Sequence, residues 1–149
     1  MVEPPFVTAP GLAVGRADPG AAHLLRRRDG GDGPGYRLAP GEYLQLDAAP
    51  PALPPGTTAH VADLTHALIG FTITGRGAAD LLAKGTGLDL HPHRLPVGTA
   101  TRTLFAQVDI VIVAGAEGFR ILAEPGYAAH LAAWFIDAAI EFNSGHSMA

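Results

Sequence analysis

Asp89, His91 and His93 alternate along the chain, so an extended backbone would turn all three side chains to one side, the arrangement from which a metal site can begin. Pro92 stands between the two histidines and no further ligand cluster follows, so the segment reads as a hydrogen-bonded or exposed loop. Residues 71–80 set Gly75-Arg76-Gly77 between a strand pattern and a helix pattern, the outline of a dinucleotide-binding turn. The outline fails at Asp80, where a small residue is needed. It also lacks an acidic residue about twenty positions on, at the end of a second parallel strand. Asp63 with His66, and Ser144 with His146, are the remaining acid–base or nucleophilic pairs, and no Gly-x-Ser-x-Gly elbow supports either. The sequence has no cysteine, which removes thiolate catalysis, disulfides, iron–sulfur clusters and Cys-ligated zinc. These residues therefore assign the chain no catalytic, no cofactor-binding and no metal-binding position.

The elements that would position them are legible from periodicity. Residues 36–38 and 42–46 alternate as two short strands about a Pro40-Gly41 turn, and residues 59–64 and 68–74 follow as strands. Ile69, Phe71 and Ile73 share one face of the second of these. Residues 75–84 change to helical spacing and end at Gly85. Residues 99–105, 107–114 and 119–123 read as successive strands, the last two joined as a hairpin through residues 115–118. The middle strand is apolar on both faces and so is central. From Pro125 onward Tyr127, Leu131, Trp134, Phe135, Ala138 and Phe142 fall on one stripe of a helix, with His130, Asp137 and Glu141 opposite; that spacing is what packing on a sheet demands. The expectation is an α+β domain, an antiparallel or mixed sheet with packed helices.

Three tracts punctuate these elements. Residues 26–35, Arg-rich and then glycine-dense, are expected to form a mobile surface loop, and residues 48–56 a proline-rich extended connection. Residues 90–98 carry the chain from a helix toward a strand. The division that results is an N-terminal segment over 1–35, an α+β domain over 36–142 and a tail over 143–149.

Composition narrows the function classes. The 149 residues are 48% hydrophobic and 16% charged, enough apolar side chain for one core and too little charge for a disordered chain. A net charge of −4 has the wrong sign for a surface that neutralises phosphates, so nucleic acid is not an expected partner. No apolar run approaches the roughly 20 residues of a membrane span, and the start has neither a basic nor an apolar leader pattern; a cytoplasmic location is expected.

The run Ala83-Lys84-Gly85-Thr86-Gly87-Leu88-Asp89-Leu90-His91-Pro92, followed by Gly98 and Thr103-Leu104, resembles the gamma subunit of heterotetrameric sarcosine oxidase. Residues 38–44 (Leu-Ala-Pro-Gly-Glu-Tyr-Leu), residues 61–67 and the aromatic helix ending Glu141-Phe142 are similar to the same family, so the likeness runs from about 36 to 142. Thr86 and Arg102 depart from it, where members commonly carry Cys and Gln. The resemblance implies a fold akin to the folate-binding aminomethyltransferase-like domain. It also implies an accessory, structural role beside alpha, beta and delta subunits in a flavoenzyme complex that demethylates sarcosine or a related N-methyl amine, with formaldehyde passed to tetrahydrofolate on the alpha subunit. FAD, FMN, NAD and tetrahydrofolate would then reside on the partners and none on this chain. The alternative is an independent folate-binding, aminomethyltransferase-like module, for which Asp63 and Asp89 are the acids sited at element ends. For an accessory subunit, the proline-stiffened segment holding Asp89, Leu90, His91, Pro92, Leu95 and Pro96 is the expected partner contact, because it can present a preformed shape at little entropic cost.

Overall fold

The computed structural model describes residues 4–143. The chain begins with a hairpin of β1 (Val7–Ala9) and β2 (Leu12–Arg16), then runs through β3 (Ala22–Arg27), β4 (Tyr36–Ala39), β5 (Glu42–Leu46), β6 (Ala59–Asp63) and β7 (Ile69–Thr74). After helix α1 (Ala78–Ala83) come β8 (Ala100–Phe105), β9 (Val108–Ala114) and β10 (Gly118–Ala123). A single 3-10 turn (Pro125–Tyr127), helix α2 (Ala128–Ala138) and a last turn α3 (Ile140–Asn143) close it.

Every strand pairing is antiparallel, and the strands divide into two sheets ordered β1-β2-β7-β10-β9-β8 and β4-β5-β3-β6. The alternation along β9 shows how they are layered. Val108, Ile110, Ile112 and Ala114 join Phe71, Ile73 and Ile121 of the same sheet and Leu81, Leu82, Leu131 and Phe135 of the helices in one core. Val111 and Val113 point the other way and meet Leu24 of β3 and Leu44 of β5. The six-stranded sheet is thus covered by helices on one face and by the four-stranded sheet on the other, which makes β9 apolar on both faces as its sequence requires.

The strands at residues 36–46 and 59–123 lie within a residue of their expected ends, and the class is α+β with two wholly antiparallel sheets. Three differences have physical reasons. Residues 7–27 form three strands that sequence patterning did not separate, and Arg26 and Arg27 end β3 instead of opening a loop. β3 pairs on both sides, with β5 and β6, so backbone pairing holds its charged end in the sheet while the side chains reach Glu42 and Asp29. Helix α1 begins only at Ala78, because Gly75 at φ +103° and Gly77 are occupied by a backbone approach: a Cβ on Gly75 would stand 2.2 Å from the Gly11 carbonyl oxygen. The closing helix is not continuous. It is interrupted at Ala139, and Tyr127 sits exposed in the 3-10 turn outside the packed stripe of Leu131, Phe135, Ala138 and Phe142.

Candidate functional site

The Asp89–Pro96 segment closes on itself. The Asp89 carboxylate accepts the His91 amide at 2.9 Å, the His91 carbonyl accepts the amides of Arg94 and Leu95 at 2.8 and 2.9 Å, and Arg94 stands 4.0 Å from Asp89. His91 Nδ1 accepts the His93 amide at 3.2 Å, and the two imidazole rings stack 4.7 Å apart. The alternating triplet therefore forms a turn of chain in which Asp89 and His91 serve the backbone. Among the described residues no group of three His, Cys, Asp or Glu side chains is placed to hold a metal.

Within this turn the structure separates two kinds of residue. Asp89, His91, Pro92 and Pro96 are exposed, as is the neighbouring Val97. Leu90 and Leu95 are 9% and 5% exposed and belong to the core between the six-stranded sheet and the helices, so their expected role as outward contacts is corrected to that of anchors. A cavity of about 480 Å³ opens beside the anchored turn, walled by Leu90, Pro92, Leu95, Ala79 and Phe119.

The other candidates are also engaged by their own fold. Gly75-Arg76-Gly77 receives the β1–β2 turn, with the Gly77 amide donating to the Gly11 carbonyl at 2.9 Å, where a dinucleotide site would hold phosphate. Asp63 accepts the Thr65 amide at 2.9 Å and lies 3.8 Å from His23 Nε2. The Thr65 hydroxyl, and after it the Thr65 amide, hold the Asp63 carboxyl below its usual value. His66 occupies a left-handed turn at φ +69°. Ser144 and His146 lie outside the described residues. His23, which sequence reasoning passed over, is 5% exposed inside β3; an alternation of Ala, His, Leu, Leu carries no signal that its histidine will be buried.

Among the described residues, the carboxyls whose acidity the fold moves all move down. Burial pushes Glu42 upward, but the guanidiniums of Arg102 and Arg26 outweigh it and hold the carboxyl below its usual value. Asp47 is lowered by the Gly20 amide, which outweighs the opposing effect of burial, and further by Arg120. At Asp18 burial again opposes, and Arg16 and the Gly70 amide prevail. Groups held ionised in this way brace turns and sheets; a general acid near neutral pH needs the opposite shift. Arg102 of β8 to Glu42 of β5, and Arg120 of β10 to Asp47 just beyond β5, tie the two sheets together.

Two larger concavities flank β8. One of about 650 Å³ lies between the sheets, walled by Leu24, Leu38, Leu44, Leu64, Leu68 and Leu104, with Asp109 and Glu124 also on its lining. The other, about 720 Å³, lies on the helix side between the loop at residues 85–88 and His130 and Trp134 of α2. Both are open concavities with the character of contact surfaces.

No curated protein matches the chain. A solved structure titled heterotetrameric sarcosine oxidase from Corynebacterium sp. U-96 in complex with pyrrole 2-carboxylate contains a chain of the same fold, with a TM-score of 0.75 at 22% identity over 97% of this chain and 91% of that one. The model of the sarcosine oxidase, gamma subunit family matches residues 56–141. That span holds β6 to β10, both main helices and the turn at residues 89–96, more than half of the sequence, and the chain therefore belongs to the sarcosine oxidase gamma subunit family.

Proposed function

We propose that this chain is the small accessory subunit of a heterotetrameric, sarcosine oxidase-like flavoenzyme and contributes shape, not chemistry, to it. The family match over residues 56–141 carries the proposal. The use of Asp63, Asp89, His91 and Gly75-Arg76-Gly77 in turns and backbone contacts supports it, since these are the residues that would otherwise offer acid–base, metal or phosphate chemistry. On this reading the larger subunits hold the flavins, NAD and tetrahydrofolate, oxidise sarcosine or a related N-methyl amine, and pass formaldehyde to the folate. The exposed residues of the anchored turn, Asp89, His91, Pro92 and Pro96, face a partner, while Leu90 and Leu95 fix the turn to the core so that it docks preformed.

Co-expression with alpha, beta and delta chains, followed by mass measurement of the intact complex, tests the assignment. The expected result is one copy of this chain in a coloured complex with amine-dependent formaldehyde production, and a colourless chain when it is purified alone. Flavin retained on the isolated chain through gel filtration, or tetrahydrofolate bound to it, would overturn the accessory reading in favour of a free-standing folate module.

A further inference from the structure

β8 is the last strand of the six-stranded sheet and pairs, among the described residues, with β9 alone; β4 of the smaller sheet packs close to it without pairing. The Thr99 carbonyl accepts the Ala114 amide, and the two-residue alternation of an antiparallel ladder then aims the N–H and C=O of Thr101 and Thr103 at β9 and those of Arg102 and Leu104 outward. An open row of backbone groups of this kind is a template for one more strand. The two large concavities meet at this edge: Thr103 and Leu104 line both, with the leucine-walled cleft on the side of the four-stranded sheet and the Trp134 cavity on the helix side. Successive side chains of an added strand point to opposite faces, so one extended segment would fill both at once. Leu104 is 57% exposed on the cleft side. Beside it Asp109 and Glu124 are exposed and have no ion-pair partner among the described residues.

From this geometry we infer that the free edge of β8 is completed by an extended segment of a different polypeptide, with an aliphatic side chain in the leucine cleft and a Lys or Arg two residues away, on the same face, against Asp109 and Glu124. The inference rests on the reading of the chain as a subunit and names how it is held. A second copy of this chain fits less well. Its own β8 offers Leu104 and Arg102 in that spacing, but Arg102 is already engaged by Glu42, and both copies carry a net charge of −4.

Amide hydrogen exchange on the isolated chain and on the assembled complex tests the inference directly. The Leu104 amide is expected to slow at least about tenfold in the complex, while amides paired within β9 and β10 change little. Leu104→Pro removes the outward N–H, a substitution edge strands tolerate, and should reduce recovery with the partner chains about tenfold with the melting temperature of the isolated chain nearly unchanged. Asp109→Lys with Glu124→Lys leaves the backbone intact and should weaken association as well, so the test survives if the proline variant fails to fold. If a complex forms and Leu104 exchanges as in the free chain, the edge is not the contact and the subunit reading stands without it. Protection of Leu104 in the isolated chain that grows with its concentration would assign the edge to a second copy and overturn the choice of occupant. If no complex forms with any alpha, beta or delta chain, the subunit reading falls and this inference falls with it.

Discussion

The two sheets are built to different standards of burial. In the six-stranded sheet Phe71, Ile73, Ile112 and Ile121 are at most 1% exposed, because helices seal one face and the smaller sheet the other. In the four-stranded sheet burial is confined to the two inner strands, at Ala22, His23, Leu24 and Leu25 of β3 and Tyr43 and Leu44 of β5, while the outer strands β4 and β6 have no fully buried residue. The smaller sheet is fastened to the larger by a modest apolar seam and two ion pairs, Arg102 to Glu42 and Arg120 to Asp47. The difference teaches that the body of the fold lies between the helices and the large sheet, whereas the second sheet acts as a cover whose incomplete fit leaves the leucine-walled cleft open. The family-matched residues follow the same division: residues 56–141 hold four strands of the larger sheet and only β6 of the smaller.

The largest effect that could break this comparison is a core truncation on each side. Phe135→Ala removes a fully buried ring packed against Phe71 and Phe105, and should cost about 3–5 kcal/mol in urea unfolding. Leu44→Ala, from the inter-sheet seam, should cost nearer 2 kcal/mol, the low end for leucine, because the adjoining cleft gives its neighbours room to relax. Equal losses would show that the second sheet is as integral as the first.

A smaller effect tests the clasp by pH. The Glu42 carboxyl is lower in the folded chain than its usual value, so its ionised form adds stability above the unfolded-state value, and that contribution disappears as pH falls through the folded value. Glu42→Gln should therefore lower stability at neutral pH by about 1 kcal/mol and flatten its decline below pH ~4.5. Thermal melts of the two proteins from pH 7 to pH 3 should converge at the acid end. If they stay parallel throughout, the ion pairs do not fasten the sheets.

The smallest effect lies in the well-packed sheet. The β8–β9 turn places Ala106 and Gln107 at φ +48° and +68°, a conformation that glycine adopts more easily, and the turn is held by the Gly85 carbonyl and by His130. Gln107→Gly should raise stability by about 0.5 kcal/mol in the same melts by relieving that backbone strain. A loss would mean that the Gln107 side chain contributes more than its backbone costs.

The sequence by itself determined what is local. The alternation of Ile69, Phe71 and Ile73, the two apolar faces of β9 and the stripe from Leu131 to Phe142 follow from the period of the backbone, which a single segment carries in full. The Pro10-Gly11 pair between Val7–Ala9 and Leu12–Arg16 is an equally local hairpin signal, but the strands beside it are too short to show a period of their own. Most of the candidate chemistry at Asp89, His91 and Gly75 was legible as turn chemistry for the same reason. Only the tertiary structure decided that the strands split into two sheets, that Arg26 and Arg27 end a central strand, that Leu90 and Leu95 point inward and that Arg102 reaches Glu42. It also decided that β8 pairs with one strand and has two open clefts beside it. Each of these depends on which distant segment lies alongside, and strand pairing across dozens of residues is set by the fit of whole faces, a quantity that no one segment of the chain contains.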